Sequence, residues 1–267
     1  DPWAIWVSEV MLQQTRVEAV REPFVRFLER FPTPAAFAQA SDDELLTAWR
    51  GLGYYRRARL LRDGARAVVE AHGGAVPADL EALGELPGIG AYTRGAVASI
   101  AFGHAEPAID GNVERVTARH LGLTDDVGTA PARRRIRSTV DGWLDRTRPG
   151  DFNQALMELG AVVCTPTSPS CERCPVAQDC AAKRLGLTDQ LPNKKPPRAA
   201  VEVTARAALV FAEGQVLGHR VPAGEPNAGQ VDLPGGGPLQ SLDAADLAQV
   251  VHQRFGARLR IGAVLAS

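Results

Sequence analysis

The sequence predicts a mainly α-helical domain followed by a smaller, partial α+β domain. Three observations carry that expectation. Apolar residues recur at intervals of three and four through roughly the first 190 positions, the spacing of one helix face. Proline and lysine then interrupt the pattern at Leu191-Pro192-Asn193-Lys194-Lys195-Pro196-Pro197. Beyond that stretch the period shortens toward two, as in strands.

The elements follow in order. Trp3, Ile5, Trp6, Val10 and Leu12 belong to a first helix, and Phe24, Phe27, Leu28 and Phe31 to a second. Ser41 followed by Glu44 is a capping box for the helix of Leu45, Leu46 and Trp49. Val68 and Val69 mark a further helix, and another runs from Val113 to Leu121. Residues 191–200 read as a stiff linker. Strands are expected over 201–211 and Gln215 to Val221. The glycine-rich Leu233-Pro234-Gly235-Gly236-Gly237 and a helix near Asp243 to Phe255 come next. The expected domains are therefore 1–190 and 201–267, with no internal repeat. Asp1 opens inside a helical pattern and Ser267 follows an apolar run, so the sequence reads as a fragment.

With 267 residues, 45% of them hydrophobic, the chain can bury a sizeable core. A net charge of -1 leaves any nucleic-acid partner to be argued from local patches. No apolar run approaches a membrane span. Reduced cysteines point to a cytoplasmic, nucleoid-associated setting.

The whole cysteine complement falls in one window: Cys164, Cys171, Cys174 and Cys180, spaced C-x6-C-x2-C-x5-C. Such crowding reads as four ligands on one metal centre rather than as disulfides. Four thiolates suit zinc or an iron–sulfur cluster. Common zinc modules use two separated C-x2-C knuckles. One knuckle with two uneven arms favours iron–sulfur.

Leu86-Pro87-Gly88-Ile89-Gly90 lies between two helical segments. Proline ends the first helix, and the glycines allow a tight turn whose bare amides, with the next helix start, can hold a phosphate. This is the pattern of a helix–hairpin–helix DNA-binding element; an ordinary helix–helix turn is the alternative. Arg50, Arg56, Arg57, Arg59 and Arg62, with Tyr54 and Tyr55 among them, form a patch that could grip backbone and wedge a ring between bases; taken alone, a solvated helix face with two core tyrosines is the simpler reading. Arg133, Arg134, Arg135 and Arg137 read as a solvated helix face.

Two carboxylates stand in unlike surroundings. On a helical wheel Glu9 falls between Trp6 and the Ile5/Leu12 pair, where apolar neighbours would raise its pKa and suit a general acid. Asp110, in Asp110-Gly111-Asn112, is placed as an N-cap whose helix amides favour the charged form. Taken singly, an idle edge glutamate and a structural cap are the simpler readings. Taken together, one protonated and one anionic carboxyl are what glycosidic chemistry uses.

Ser8-Glu9-Val10-Met11-Leu12-Gln13-Gln14-Thr15, Gly51-Leu52-Gly53-Tyr54-Tyr55, the Leu86–Gly90 hairpin, Asp110-Gly111-Asn112-Val113 and the four cysteines occur here in one order. In that order they resemble the adenine DNA glycosylases of the MutY type, within the helix–hairpin–helix glycosylase superfamily. The resemblance covers about residues 1–190. It implies a bilobed helical domain with a [4Fe–4S] cluster, and monofunctional removal of adenine mispaired with 8-oxoguanine or guanine from double-stranded DNA by a monomer. It further implies Glu9 as the acid that protonates adenine N7 and Asp110 as the carboxylate that stabilises the C1′ cation. Tyr92 is the third catalytic position, where the related endonuclease III has an imine-forming lysine. Gln14 and Tyr54 would probe the oxidised base, Gln154 and Asn112 would sit near adenine and the attacking water, and Gly88 and Gly90 would hold backbone phosphate. The cluster would chiefly order a DNA-facing loop. A further family helix would precede Asp1.

From Val201 the chain resembles a Nudix fold, the kind that recognises 8-oxoguanine in this family. Gly235 and Gly256 fit the two glycines of the signature G-x5-E-x7-R-E-U-x-E-E-x-G-U. Ser241, Gln249-Val250 and Gln253-Arg254 replace its carboxylates and arginine. Nucleotide hydrolysis is therefore not expected, since the Mg²⁺ ligands are gone. The alternative is an unrelated small β domain. For the whole chain, the rival reading is a non-catalytic iron–sulfur DNA-binding regulator.

Overall fold

Asp1 caps the first helix. Its carboxylate accepts the Trp3 amide at 3.0 Å, and Pro2 fills the first turn, where an amide is not missed. The computed structural model describes residues 1–194, 207–212, 214–222, 224–225, 229–235 and 244–256. The stretch 195–200, the expected strand start at 201–206, Gly236, Gly237, Ser241 and 257–267 lie outside the described residues. The chain divides into two units, Asp1–Pro196 and Pro197–Ser267.

The first unit is helical. Its elements are α1 (Pro2–Leu12), α2 (Val17–Arg30), α3 (Pro34–Ala38), α4 (Asp42–Ala48), α5 (Arg56–His72), α6 (Leu80–Glu85), α7 (Ala91–Phe102), α8 (Gly111–Leu121), α9 (Ala130–Trp143), α10 (Pro149–Glu158) and α11 (Ala181–Leu185). The capping box is present at α4, where Ser41 and Glu44 satisfy each other's backbone amides. A π-helical turn, Leu159–Val163, continues α10.

Two cores organise these helices. The first, under α1 to α7, is aromatic: Trp3, Trp6, Phe27, Phe31, Phe37 and Trp49 are all buried. Phe27 and Phe37 pack edge to face at 4.9 Å, and Trp3 meets Trp6 edge-on at 5.7 Å. The Trp3 indole donates to the Phe31 carbonyl at 2.9 Å, so the ring buries its body without stranding its N–H. The second core is aliphatic: Val113, Val116, Leu123, Val127, Ile136 and Val140, from α8, α9 and their connection. α7 packs on both α1 and α10, and α10 on α8, so the helix after the hairpin joins the two lobes.

In the second unit β1 (Phe211–Ala212) pairs antiparallel with β2 (Gln215–Val216), and β3 (His219–Arg220) with β4 (Val231–Asp232). The continuous strand expected over Gln215 to Val221 is thus a misreading. The chain breaks at Leu217-Gly218 and passes from one pair to the other. A Cβ on Gly218 would stand 2.8 Å from Val231 Cγ1, so any other residue there would force the Val231 side chain to shift. α12 (Ala244–Phe255) follows, with Leu247 and Val251 buried. It carries Gln249, Val250 and Gln253. These short ladders show small antiparallel β pairs, followed in the chain by a helix; they do not define a Nudix fold.

Candidate active site

Glu9 sits on the inner face of α1 and is 8% exposed. Tyr92, in the first turn of α7, donates its hydroxyl to Glu9 Oε2 at 2.5 Å. The same hydroxyl lies 3.3 Å from Met157 Sδ on α10. Burial pushes the Glu9 carboxyl above its ordinary 4.5; the Tyr92 hydrogen bond opposes that rise and the charge of Asp110 adds to it. Tyr92 is raised as well, first by burial and then by Glu9, with Asp110 contributing. The phenol therefore stays protonated. When Glu9 carries a proton it can donate to the phenol oxygen, and the phenol can turn its own hydrogen to the sulfur, a weak acceptor. The site accommodates a neutral glutamic acid.

Asp110 caps α8 as expected. Its Oδ1 accepts the amides of Asn112 at 2.9 Å and Val113 at 2.7 Å. Its Oδ2 accepts Asn112 Nδ2 at 2.8 Å. Three donors on one carboxylate at a helix start suit an anion. The orientation of Asn112 is itself imposed. Arg115 Nη2 donates to Asn112 Oδ1 at 2.8 Å, and a guanidinium cannot accept, so the amide must face Asp110. Arg115 also donates to Gly160 O and to the carbonyl of Cys164, each at 2.8 Å. The close approach of the π turn permits this: a Cβ on Gly160 would lie 2.6 Å from Asn112 Cβ.

Glu9, Tyr92 and Asp110 are 101 positions apart in sequence at the extremes yet electrostatically coupled in the structure. Asn112 joins them. Gln154 is exposed on α10, its amide folded back on Gly150 O at 3.1 Å. Gln14 and Tyr54 are exposed on two loops, both with positive φ.

The hairpin runs from α6 through Leu86–Gly90 into α7. Gly88 has φ +82 and packs against Leu60, whose Cβ would stand 3.0 Å from an added Cβ. Gly90 occupies the N-cap of α7 with no side chain over the first amides, which leaves them open to an anion. The basic patch is smaller than expected. Arg62 is buried, donates to Ala40 O and pairs with Asp42 at 2.7 Å; Arg57 also turns inward. Arg50 and Arg56 remain exposed. Arg133, Arg134 and Arg135 are exposed, as a solvated face should be, while Arg137 pairs with Glu106 at 2.9 Å.

The four cysteines are free thiols that line one pocket with Val116, Leu159, Val163 and Val176. Cys164 ends the π turn, Cys171 opens a 3₁₀ turn, and Cys180 precedes α11. Among the described residues the sulfurs do not converge on one ion-sized point. They ring an apolar pocket, an arrangement suited to a multi-iron cluster. Burial, then the other three sulfurs, pushes the Cys171 thiol up, so a bound metal charge would be needed to hold the four as thiolates. Arg119, 2% exposed, points Nη1 at Cys164 Sγ (3.3 Å) and donates to the carbonyls of Thr165, Pro166 and Leu191. The roles of Arg115, Arg119 and Met157 were not legible in the sequence. Two arginines four apart on the apolar stripe of α8 were the available signal.

The fold and site define a class of DNA repair protein. Residues 7–141 match the family model of the HhH-GPD superfamily base excision DNA repair protein, and the chain belongs to that family. Residues 164–180 match the iron-sulfur binding domain of endonuclease III, and the cysteine set fits a [4Fe–4S] cluster.

Within the family the chain is similar to adenine DNA glycosylases. It is 47% identical over 190 residues to that of Homo sapiens, covering 71% of this chain and 35% of the relative. It is 43% identical over 199 residues to that of Mycobacterium tuberculosis, covering 74% of this chain and 64% of the relative. The chain thus spans about a third of the human relative's length. Among solved structures, a thermostable thymine-DNA glycosylase superposes with TM-score 0.64 at 27% identity, over 69% of this chain and 85% of that one. A non-covalent endonuclease III–DNA complex gives 0.61 at 26%, over 70% and 86%.

Proposed function

We propose that this chain is the catalytic part of a monofunctional glycosylase that removes adenine mispaired with 8-oxoguanine or guanine. The reading rests on one observation above the others: buried Glu9, hydrogen-bonded to Tyr92, lies within electrostatic reach of Asp110. The similarity to adenine DNA glycosylases supports it.

In this reading adenine is flipped from the stack. Glu9 gives its proton to N7. The N9–C1′ bond breaks with its electron pair passing to adenine, and Asp110 stabilises the oxocarbenium-like sugar. Water adds to C1′ and releases a proton. Tyr92 offers no amine, so no imine forms and no strand is cut by that route. Gln14 and Tyr54 probe the opposite base, Asn112 and Gln154 hold adenine and water, and the hairpin amides hold phosphate. A cluster held by Cys164, Cys171, Cys174 and Cys180 would order that loop. The protein acts as a monomer on nucleoid DNA, and the second unit contributes recognition of 8-oxoguanine without nucleotide hydrolysis.

The test is single-turnover excision from an A:8-oxoguanine duplex. Glu9→Gln should lose about 10²- to 10⁴-fold in rate while binding the duplex as before. Excision at wild-type rate would remove Glu9 from its role. Preference for an oxidised pyrimidine with strand cleavage would place the chain with endonuclease III. Binding with no adenine release by the unaltered chain would leave a non-catalytic iron–sulfur DNA-binding protein.

A further inference from the structure

α1 ends with carbonyls that have no partner within the helix. One side chain collects them. Arg57, in the first turn of α5, directs Nη1 to the carbonyls of Val10 (2.8 Å), Met11 (3.0 Å) and Gln13. Its Nη2 reaches across to the carbonyls of Leu52 (2.9 Å) and Gly53 (3.3 Å), and to Thr15 Oγ1 (3.2 Å). A single guanidinium therefore ties the loop after α1 to the loop before α5.

Each tied loop carries a non-glycine residue in the left-handed region: Gln14 at φ +57 and Tyr54 at φ +45. Such residues are strained and persist only where their surroundings over-determine them. Both side chains project outward, and Tyr54 is 64% exposed. The Tyr54 ring lies over the Arg57 guanidinium at 5.5 Å, and Trp49 lies 5.7 Å from the same cation. An aromatic ring backed by a fixed cation and largely open to solvent can enter a base step; a neighbouring amide can meet the base it displaces. Exposed Arg16 and Arg50 on the same loops, and Arg56 at the start of α5, can take phosphates.

We propose that Arg57 is a positioning residue that holds Gln14 and Tyr54 as one two-pronged wedge and thereby sets how fast the chain unstacks a mispaired base. This deepens, and rests on, the reading of the chain as a base-flipping DNA repair protein. Arg57 acts through Tyr54 and Gln14 and touches no reacting atom. Lysine is no substitute, because one ammonium cannot serve two loops with a planar fork.

The test uses the full chain, at saturating concentration, and a duplex with 2-aminopurine beside an A:8-oxoguanine pair. Its fluorescence rises on unstacking without any bond being broken. Arg57→Lys is expected to slow that rise by about 10- to 100-fold, as misplacing a preorganised group does. Tyr54→Ala should slow it comparably, and the double variant no further, since the two act as a unit. Thr15→Val, which deletes one acceptor and leaves Arg57 in place, should slow it less, and again not at all in the Tyr54→Ala background. That milder variant carries the test should Arg57→Lys not fold. Losses that multiply in the double variants, or an unchanged rise in Arg57→Lys, overturn the proposal. Unstacking needs no excision, so a chain that unstacks yet releases no adenine fails the glycosylase reading and leaves this one standing.

Discussion

The lobe that carries Glu9 and the lobe that carries Asp110 are held together by different chemistry. The first packs rings on rings, with Phe27 and Trp49 buried at its centre. The second has an aliphatic core without a buried aromatic ring among its members, and it binds its cysteine loop through the buried cations Arg115 and Arg119. Glu9 therefore rests on packing, which is non-directional and extensive. Asp110 rests on a directional chain through Asn112 and Arg115 to the carbonyl of a cluster ligand. The lesson is that the surroundings of Glu9 should tolerate loss of the cluster better than those of Asp110 do.

Removing the cluster should have the largest effect. A chelated, metal-free chain is expected to lose hydrogen-exchange protection across 159–194 and at α8, while α1 to α5 keep theirs, because metal binding there is folding free energy. Equal loss in both lobes would erase the distinction. Phe27→Ala attacks the other side. At 1% exposure it should cost about 3–5 kcal/mol in denaturant unfolding. A loss well under 1 kcal/mol would show that the rings are not what holds the lobe.

The smallest and sharpest effect concerns pH. Glu9 has a folded pKa raised above 4.5, so its contribution to stability is fully present below that value and fades as pH rises through the raised one. If Glu9 is the proton donor proposed above, the kcat/KM profile should fall over the same limb. Glu9→Gln should abolish the stability limb. Its survival in the variant would assign the titration elsewhere. Glu106 provides the contrast. Burial raises it, but Arg137 and Arg94 outweigh that and lower it, so its contribution fades as pH falls instead.

Much of the site was legible because its signals are local. Asp110 as a cap, the Ser41–Glu44 box and the hairpin each depend on residues within a few positions of one another. The second unit was read less well: the period-two pattern over Gln215 to Val221 hid a break at Gly218, since the close approach of Gly218 to the Val231 side chain leaves no mark on periodicity. The basic patch was overcounted for a related reason. Charge alone does not say which arginines turn inward to satisfy carbonyls, as Arg57 and Arg62 do.

By itself, then, the sequence determined the helices, their caps, the glycine hairpin and the cysteine spacing, all set by interactions that reach only a turn or two along the chain. Tertiary structure alone decided that Tyr92 meets Glu9 across 83 positions, that Arg115 meets Cys164 across 49, and that Arg57 joins two loops. Those partners are chosen by how the helices stack, and a hydrogen bond's short range makes it report that stacking rather than any pattern in the chain.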